Sequence, residues 1–244
     1  MTHRTVSRTQ SRRPISARGS PVPVEATSAT RRAYDAILAK ILNGAHAPGT
    51  LLSEVVLGAE IGCSRTPVRT ALALLQDEGW IRILPKRGAL VTGLNEAQIA
   101  DLAEARWVLE TTAVQVPGQR PPSKSDGAMR EVIAEHRAAL ADRDLPRFVE
   151  STIAFHRGFV EAGGNEVLLE LYDRLADRQR FLLYSHGTRL LERSADIIAE
   201  HEALNDRFQT SDREAFGGLL HHHLVRTYDT TVHVVDGRTE RPEA

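Results

Sequence analysis

Between Thr30 and Leu42 apolar side chains recur every three or four positions, at Ala33, Ile37, Leu38, Ile41 and Leu42. This spacing predicts an amphipathic helix with Thr30 as its N-cap and Gly44 just beyond its end. A second, short helix is expected from Ser53, burying Leu57 and Ile61 and closed by Gly62. A third runs from Ser64 to Glu78, with Gly79 past its end. The period then drops to two. Trp80-Ile81-Arg82-Ile83 and Ala89-Leu90-Val91-Thr92 read as short strands around Pro85-Lys86-Arg87-Gly88, a hairpin. Three helices followed by a hairpin predict a winged helix-turn-helix over residues 29–94.

Beyond Leu94 the pattern is helical throughout. Asn95 opens a helix with Gln98 in the capping-box position, and Pro121-Pro122 interrupts it. Further helices are expected near 124–142, 145–162, 166–185, 190–209 and 211–235, the last opened by a Ser211–Glu214 capping box. The fold class is therefore mainly α: a winged head followed by an all-α antiparallel bundle over residues 95–235. Residues 1–28, rich in Arg, Ser, Thr and Pro with few large apolar side chains, read as a disordered basic arm, and 236–244 as a flexible tail.

Composition narrows the function classes. The chain has 244 residues, 41% of them hydrophobic, which is enough to build real cores. No apolar run is long enough to span a membrane. The Arg-rich N-terminus lacks the apolar stretch of a secretory signal. A single cysteine, Cys63, rules out an internal disulfide framework and suits a reducing cytoplasm. The net charge of −1 conceals a polarity: residues 1–94 carry 13 Lys/Arg against 6 Asp/Glu, and the remainder 18 against 26. Such a chain is expected to meet a polyanion with its front half.

The third helix supplies the means. At about 100° per residue, Val68, Ala71, Leu72 and Leu75 share one face, which should be core. Arg65, Thr66 and Arg69 share the other, beside small Ala73. Two guanidiniums and a hydroxyl with a methyl suit guanine edges, phosphates and a further base contact in a major groove. The same arginines also suit a merely solvated surface helix.

The surrounding residues bear on that choice. The run Cys63-Ser64-Arg65-Thr66-Pro67-Val68-Arg69-Thr70-Ala71-Leu72 lies between Ala47-Pro48-Gly49-Thr50-Leu51-Leu52-Ser53-Glu54 and Asp77-Glu78-Gly79-Trp80 … Pro85-Lys86-Arg87-Gly88-Ala89-Leu90-Val91. Together these resemble the GntR family of winged-helix regulators over residues 30–92. The resemblance implies that Ser64, Arg65, Thr66 and Arg69 contact double-stranded DNA, with Lys86 and Arg87 at the wing tip approaching the minor groove. Val55 stands where many members carry a basic or polar residue, so one backbone contact is expected to be missing. Cys63, usually Val, is expected to act as a small buried hydrophobe.

Three histidines sit on apolar stripes of the second half. His156 lies with Val149, Thr152, Ile153 and Val160, His201 with Ile197, Leu204 and Phe208, and His223 with Phe216, Leu219, Leu220, Leu224 and Thr227. Each alone reads as a core residue, but three on facing helices can make a metal site. His136, with Ile133 and Leu140, reads as core, and His222, with Gly218 and Arg226, as exposed.

Phe155-His156, Gly164-Asn165, Glu200-His201 and His223-Leu224 resemble the FCD ligand-binding domain of the FadR subfamily, over residues 95–235. The resemblance implies a divalent metal, zinc or similar, on three histidines and an Asp, with a small organic acid effector beside it. This chain has Thr152 at the Asp position, and a neutral hydroxyl is a poor divalent ligand. Two readings stay open: three imidazoles hold zinc with an open position, or a metal-free pocket binds the effector directly. Arg106 matches an Arg of the family and is a carboxylate clamp or an ion-pair partner of Glu110. Asn165, after two glycines, is a loop-forming residue or an effector contact, and Thr152 faces inward.

These features imply a ligand-responsive DNA-binding regulator, a homodimeric repressor released from a palindromic operator by a small carboxylate. The alternative is an architectural DNA-binding protein with a vestigial, metal-free pocket. A metal-dependent hydrolase is disfavoured, because no HExxH occurs and no carboxylate is expected beside the histidines.

Overall fold

The structure, a computed structural model, describes residues 27–112, 114 and 123–232. Almost all of the expected arm, the Pro121-Pro122 break and the tail lie outside the described residues.

The head begins with α1 (Thr27–Leu42), three residues before the expected cap. It continues through β1 (Leu51–Leu52), α2 (Glu54–Ile61), α3 (Arg65–Asp77), β2 (Ile81–Leu84) and β3 (Gly88–Val91). Gly62, at φ 71°, ends α2 in the left-handed region that glycine adopts without strain. Ala33, Ile37 and Ile41 from α1 and Val68, Ala71, Leu72 and Leu75 from α3 close on Trp80, Ile81, Ala89 and Val91. Leu57 is buried as expected, whereas Ile61 and Cys63 are half-buried at the margin of this core.

The sheet has the order β1-β3-β2, all antiparallel, and β1 is an addition to the expected hairpin. Two residues are too short for alternation to announce a strand. Its pairing of Leu52 with Ala89 explains Gly88 (φ 113°), where a Cβ would stand 2.3 Å from the Leu52 carbonyl oxygen. The wing strands start and end one residue from their expected positions.

The second half is helical throughout its described residues, with α4 (Glu96–Thr112), α5 (Ser123–Ala141), α6 (Leu145–Ala162) and α7 (Glu166–Asp173). There follow α8 (Ala176–Ser185), α9 (Gly187–Glu192), α10 (Ser194–Gln209) and α11 (Arg213–Tyr228). Asn95 and Gln98 form the expected reciprocal capping box, at 2.9 and 3.0 Å. In place of Ser211, Asp212 is the N-cap of α11 and accepts from Ala215 N–H, while Ser211 takes a positive φ of 56°. Asp229, at φ 53°, stops that helix well before 235.

The single helix expected over 166–185 is two. Tyr172 is buried from α7, but Phe181, Leu182 and Leu183 are buried in succession on α8. Three consecutive inward positions exceed the stripe that one straight helix offers one neighbour. Leu182 and Leu183 join the bundle core, around Phe155, Phe159, Phe208 and Phe216. Phe181 instead enters the core of the head, edge-on to Trp80 with ring centroids 5.7 Å apart. Among the described residues no helix is long and apolar enough to cross a membrane.

Candidate functional site

The exposed face of α3 carries the residues singled out for DNA. Ser64, Arg65, Thr66 and Arg69 are all exposed, above the buried Val68, Ala71, Leu72 and Leu75. Ser64 stands at the N-cap but makes no side-chain cap, so its hydroxyl is not taken by its own helix. Glu54, at the start of α2, accepts from Arg69 at 3.1 and 3.2 Å and from Arg65 at 3.4 Å. It thereby holds two long side chains side by side, and the Arg69 hydrogen bond keeps its carboxyl below the usual range. Glu54 was not foreseen in this role, although its position eleven residues before Arg65 was on view.

Across a cleft of about 440 Å³ from Arg65 and Arg69 stand Lys86 and Arg87. Both are exposed on the wing turn, where Lys86 takes φ 62° and Arg87 N–H donates to Leu84 C=O. The head thus offers four cations around one concave surface. Val55, 59% exposed, lies at its edge.

The bundle brings together the three histidines. His156 from α6, His201 from α10 and His223 from α11 are buried, with one ring nitrogen of each within 4.8 Å of the others. Contrary to the expectation, carboxylates accompany them. His156 Nδ1 donates to Glu110 at 2.7 Å, and His223 Nδ1 donates to Glu200 at 2.7 Å. Both Nε2 atoms then face each other, 3.2 Å apart. Burial holds the pKa of His156 well below 6.5 and lowers that of His223, against the pull of Glu200. Two neutral imidazoles so oriented present lone pair to lone pair, a repulsive contact that a shared cation relieves. His201, also pushed well down by burial, has neither ring nitrogen hydrogen-bonded.

A metal fits this donor set. Nitrogen ligands of tetrahedral zinc lie about 3.3 Å apart, the spacing His156 and His223 already have, and carboxylates on the far nitrogens are the usual orienting partners. Thr152 is not part of it. Its hydroxyl donates to Phe148 C=O at 2.7 Å and lies 3.3 Å from His136 Nε2. The negative charge missing at 152 is supplied instead from the ring's other side, by Glu110 and Glu200.

Arg106 and Glu110 form a fully buried ion pair one turn apart on α4, at 2.8 Å. Arg106 also donates to the Tyr228 hydroxyl and lies 5.5 Å from that ring's centre. Its Nη2 is close to Glu110 but off-line for a hydrogen bond, which leaves donor capacity unused. Burial pushes the Glu110 carboxyl up, against the pull of Arg106, and Tyr172 donates to it at 3.2 Å. Burial likewise opposes ionisation of Glu200, yet His223, Arg193 and Arg226 together keep it below the usual range. Both carboxylates are thus engaged in ion pairs and hydrogen bonds rather than free to act as a general base. Asn165, exposed, caps α7, accepting from Val167 and Leu168 N–H at 3.1 and 3.2 Å, a structural duty.

His136, as expected, is a core residue, packed on Phe148 and Phe155, and burial pushes it down to about 4. An unfolded chain takes a proton near 6.5 that the folded protein refuses until about 4. Stability is therefore expected to fall as pH drops through that window, by about 2 kcal/mol between pH 7.5 and pH 5 for His136 alone. Urea unfolding with chelator present, at pH 7.5 and pH 5, measures this. An unchanged or higher midpoint at pH 5 contradicts the burial of a neutral imidazole.

A winged head that presents cations to one concave surface, joined to a helical bundle with a buried polar site, defines a ligand-responsive DNA-binding regulator. The chain belongs to the GntR family. The model described as "Bacterial regulatory proteins, gntR family" matches residues 29–91, and that described as "FCD domain" matches 101–226. It is 30% identical to the gluconate operon transcriptional repressor of Bacillus subtilis (strain 168), over 84% of this chain and 85% of that one. Among solved structures it resembles a putative GntR transcriptional regulator from Rhodococcus sp. RHA1, with TM-score 0.68, 22% identity, and 83% and 97% of the two chains covered. It also resembles E. coli McbR/YncC, with TM-score 0.65, 19% identity, and 83% and 96% covered. The chain is accordingly a transcription regulator and not an enzyme.

Proposed function

We propose that this chain is a cytoplasmic homodimeric repressor whose grip on a palindromic operator is released by a small carboxylate bound beside a zinc-type ion. Residues 29–94 read the DNA, and residues 95–235 bind the effector and pair the two copies. Two-fold symmetry is the economical solution for so small a head, which alone buries little DNA.

The observation that carries the reading is the clasp on α3: two exposed guanidiniums held together by Glu54 opposite a cationic wing. Arg65 and Arg69 are the groove contacts, Ser64 and Thr66 add hydroxyls, and Lys86 and Arg87 meet the backbone and minor groove. Replacing either Arg65 or Arg69 by Ala is expected to weaken specific binding by about 1–3 kcal/mol. Mobility shifts on a duplex selected by the parent protein from a random pool measure this, and the selected sequence reveals any palindrome. Parental affinity in both variants would overturn the assignment.

In the bundle His156, His201 and His223 would hold the ion, which would supply positive charge and an open position for a carboxylate. Arg106–Glu110 is internally neutral, so the added charge favours an anionic effector. Arg106 keeps one unaligned N–H for it. Thr152 shapes the wall through His136, and Asn165 anchors α7. Release requires the effector to prefer one head spacing over the other by about 1–3 kcal/mol. The Thr152 departure favours a second reading, a metal-free pocket or a purely architectural protein. Elemental analysis of untagged protein purified without chelator separates the two.

A further inference from the structure

We infer that Gln179 grips the hydroxyl-bearing part of the effector, and that α8, which carries it, relays that contact to the DNA-binding head through Phe181. The inference rests on the effector reading above and adds to it a ligand class and a route.

Gln179 is 1% exposed, and its carboxamide nitrogen has no hydrogen-bond partner. Its oxygen meets the Tyr172 hydroxyl at 3.4 Å. That hydroxyl has one proton, and the Glu110 carboxylate 3.2 Å away has the stronger claim on it, because a charged acceptor wins over a neutral one. The buried amide is therefore uncommitted at both ends, a state that costs free energy unless a ligand answers it. Two residues, Tyr172 and Glu110, stand between it and His156. On α11, one turn beyond His223, the buried Thr227 hydroxyl also lacks a partner.

Together these groups describe the ligand. The spare Arg106 N–H suits a carboxylate. A carboxamide and a hydroxyl, each able to donate and accept, suit alcohol groups along the rest of the molecule. The matching class is a hydroxylated carboxylic acid. An aliphatic acid of the same length leaves the amide and the hydroxyl unpaired, and a site built for hydroxyls rejects such an analogue.

The route follows from helix geometry. Gln179 and Phe181 are two residues apart, so they lie about 200° apart around the helix. One side of α8 faces the buried polar network, and the other inserts Phe181, 2% exposed, against Trp80 in the core of the head. Tyr184, a turn further on, lies beside Gly44 just past α1. A helix pinned at both faces cannot move at one without moving at the other.

The test uses zinc-loaded full-length protein with two probes, D-gluconate and hexanoate, and calorimetry for affinity. The parent is expected to prefer gluconate at least tenfold, and Gln179→Leu to lose at least tenfold in gluconate affinity while binding hexanoate as before. For the relay, Trp107→Phe leaves Trp80 as the reporter. Saturating gluconate is expected to shift its emission, and adding Phe181→Leu is expected to remove that shift while keeping gluconate affinity. Parental gluconate affinity in Gln179→Leu, or equal parental affinity for both acids, overturns the hydroxyl contact alone. No emission shift in the Trp107→Phe protein, or one that survives Phe181→Leu, overturns the relay. A parent that binds neither acid overturns the acid-effector reading, and this inference falls with it.

Discussion

Replacing Arg106 by Met is expected to destabilise the protein by about 3–5 kcal/mol, the largest effect of any single change considered. The substitution keeps volume and helix propensity but strips Glu110 of the guanidinium it pairs with. A carboxylate with no exposure must then stay charged without a partner or take up a proton, and both cost free energy. Protonation would also weaken the hold on His156, whose Nδ1 proton the Glu110 carboxylate accepts at 2.7 Å. Replacing Glu110 by Gln as well is expected to recover part of the loss, because the uncompensated charge disappears. Urea unfolding of the two single variants and the double measures the coupling. A loss below about 1 kcal/mol in Arg106→Met, the range of solvent-exposed pairs, would mean that the pair is not buried.

The second large effect concerns the ion. Zinc buffered at a thousandfold its Kd is expected to stabilise the fold by about 4 kcal/mol, which for a chain of this size raises Tm by about 8–16 °C. The lone-pair contact between His156 and His223 disappears when a cation stands between them, so the gain comes from the native state. His201→Ala removes one of three ligands without disturbing either carboxylate bridge, and the zinc-dependent rise should largely vanish. Scanning calorimetry with zinc and then with excess chelator reads both. A parent protein whose Tm ignores both additions has no such site.

Much of this molecule was legible in its residues. The head was readable because its signals are local: the 3.6-residue period, glycine at the end of α2, and the run Ser64–Arg69. The three histidines were readable because each continued an apolar stripe. Their carboxylate partners were not. Glu110 and His156 are 46 residues apart, and only the packing of α4 on α6 brings them together. Glu200, adjacent to His201, carries no signal of its own, because consecutive residues of a helix point in different directions and its partner is His223, 23 residues on. The division between α7 and α8 was missed for a related reason. Phe181 is buried by the other half of the chain, and no period within its own helix marks that. β1 escaped because its pairing depends on Gly88, 36 residues beyond Leu52.

The short run Leu52-Ser53-Glu54 joins the wing to the clasp. Leu52 hydrogen-bonds into the wing sheet, and Glu54, two residues on, grips Arg69 and Arg65. The distance between the two cationic jaws is thereby set by a few covalent bonds and two sets of hydrogen bonds, like a caliper with its screw tightened. A head whose jaws are linked in this way favours a duplex of matching groove dimensions. Choice among candidate operators then falls partly on how cheaply each sequence deforms to fit, at base pairs that no side chain touches.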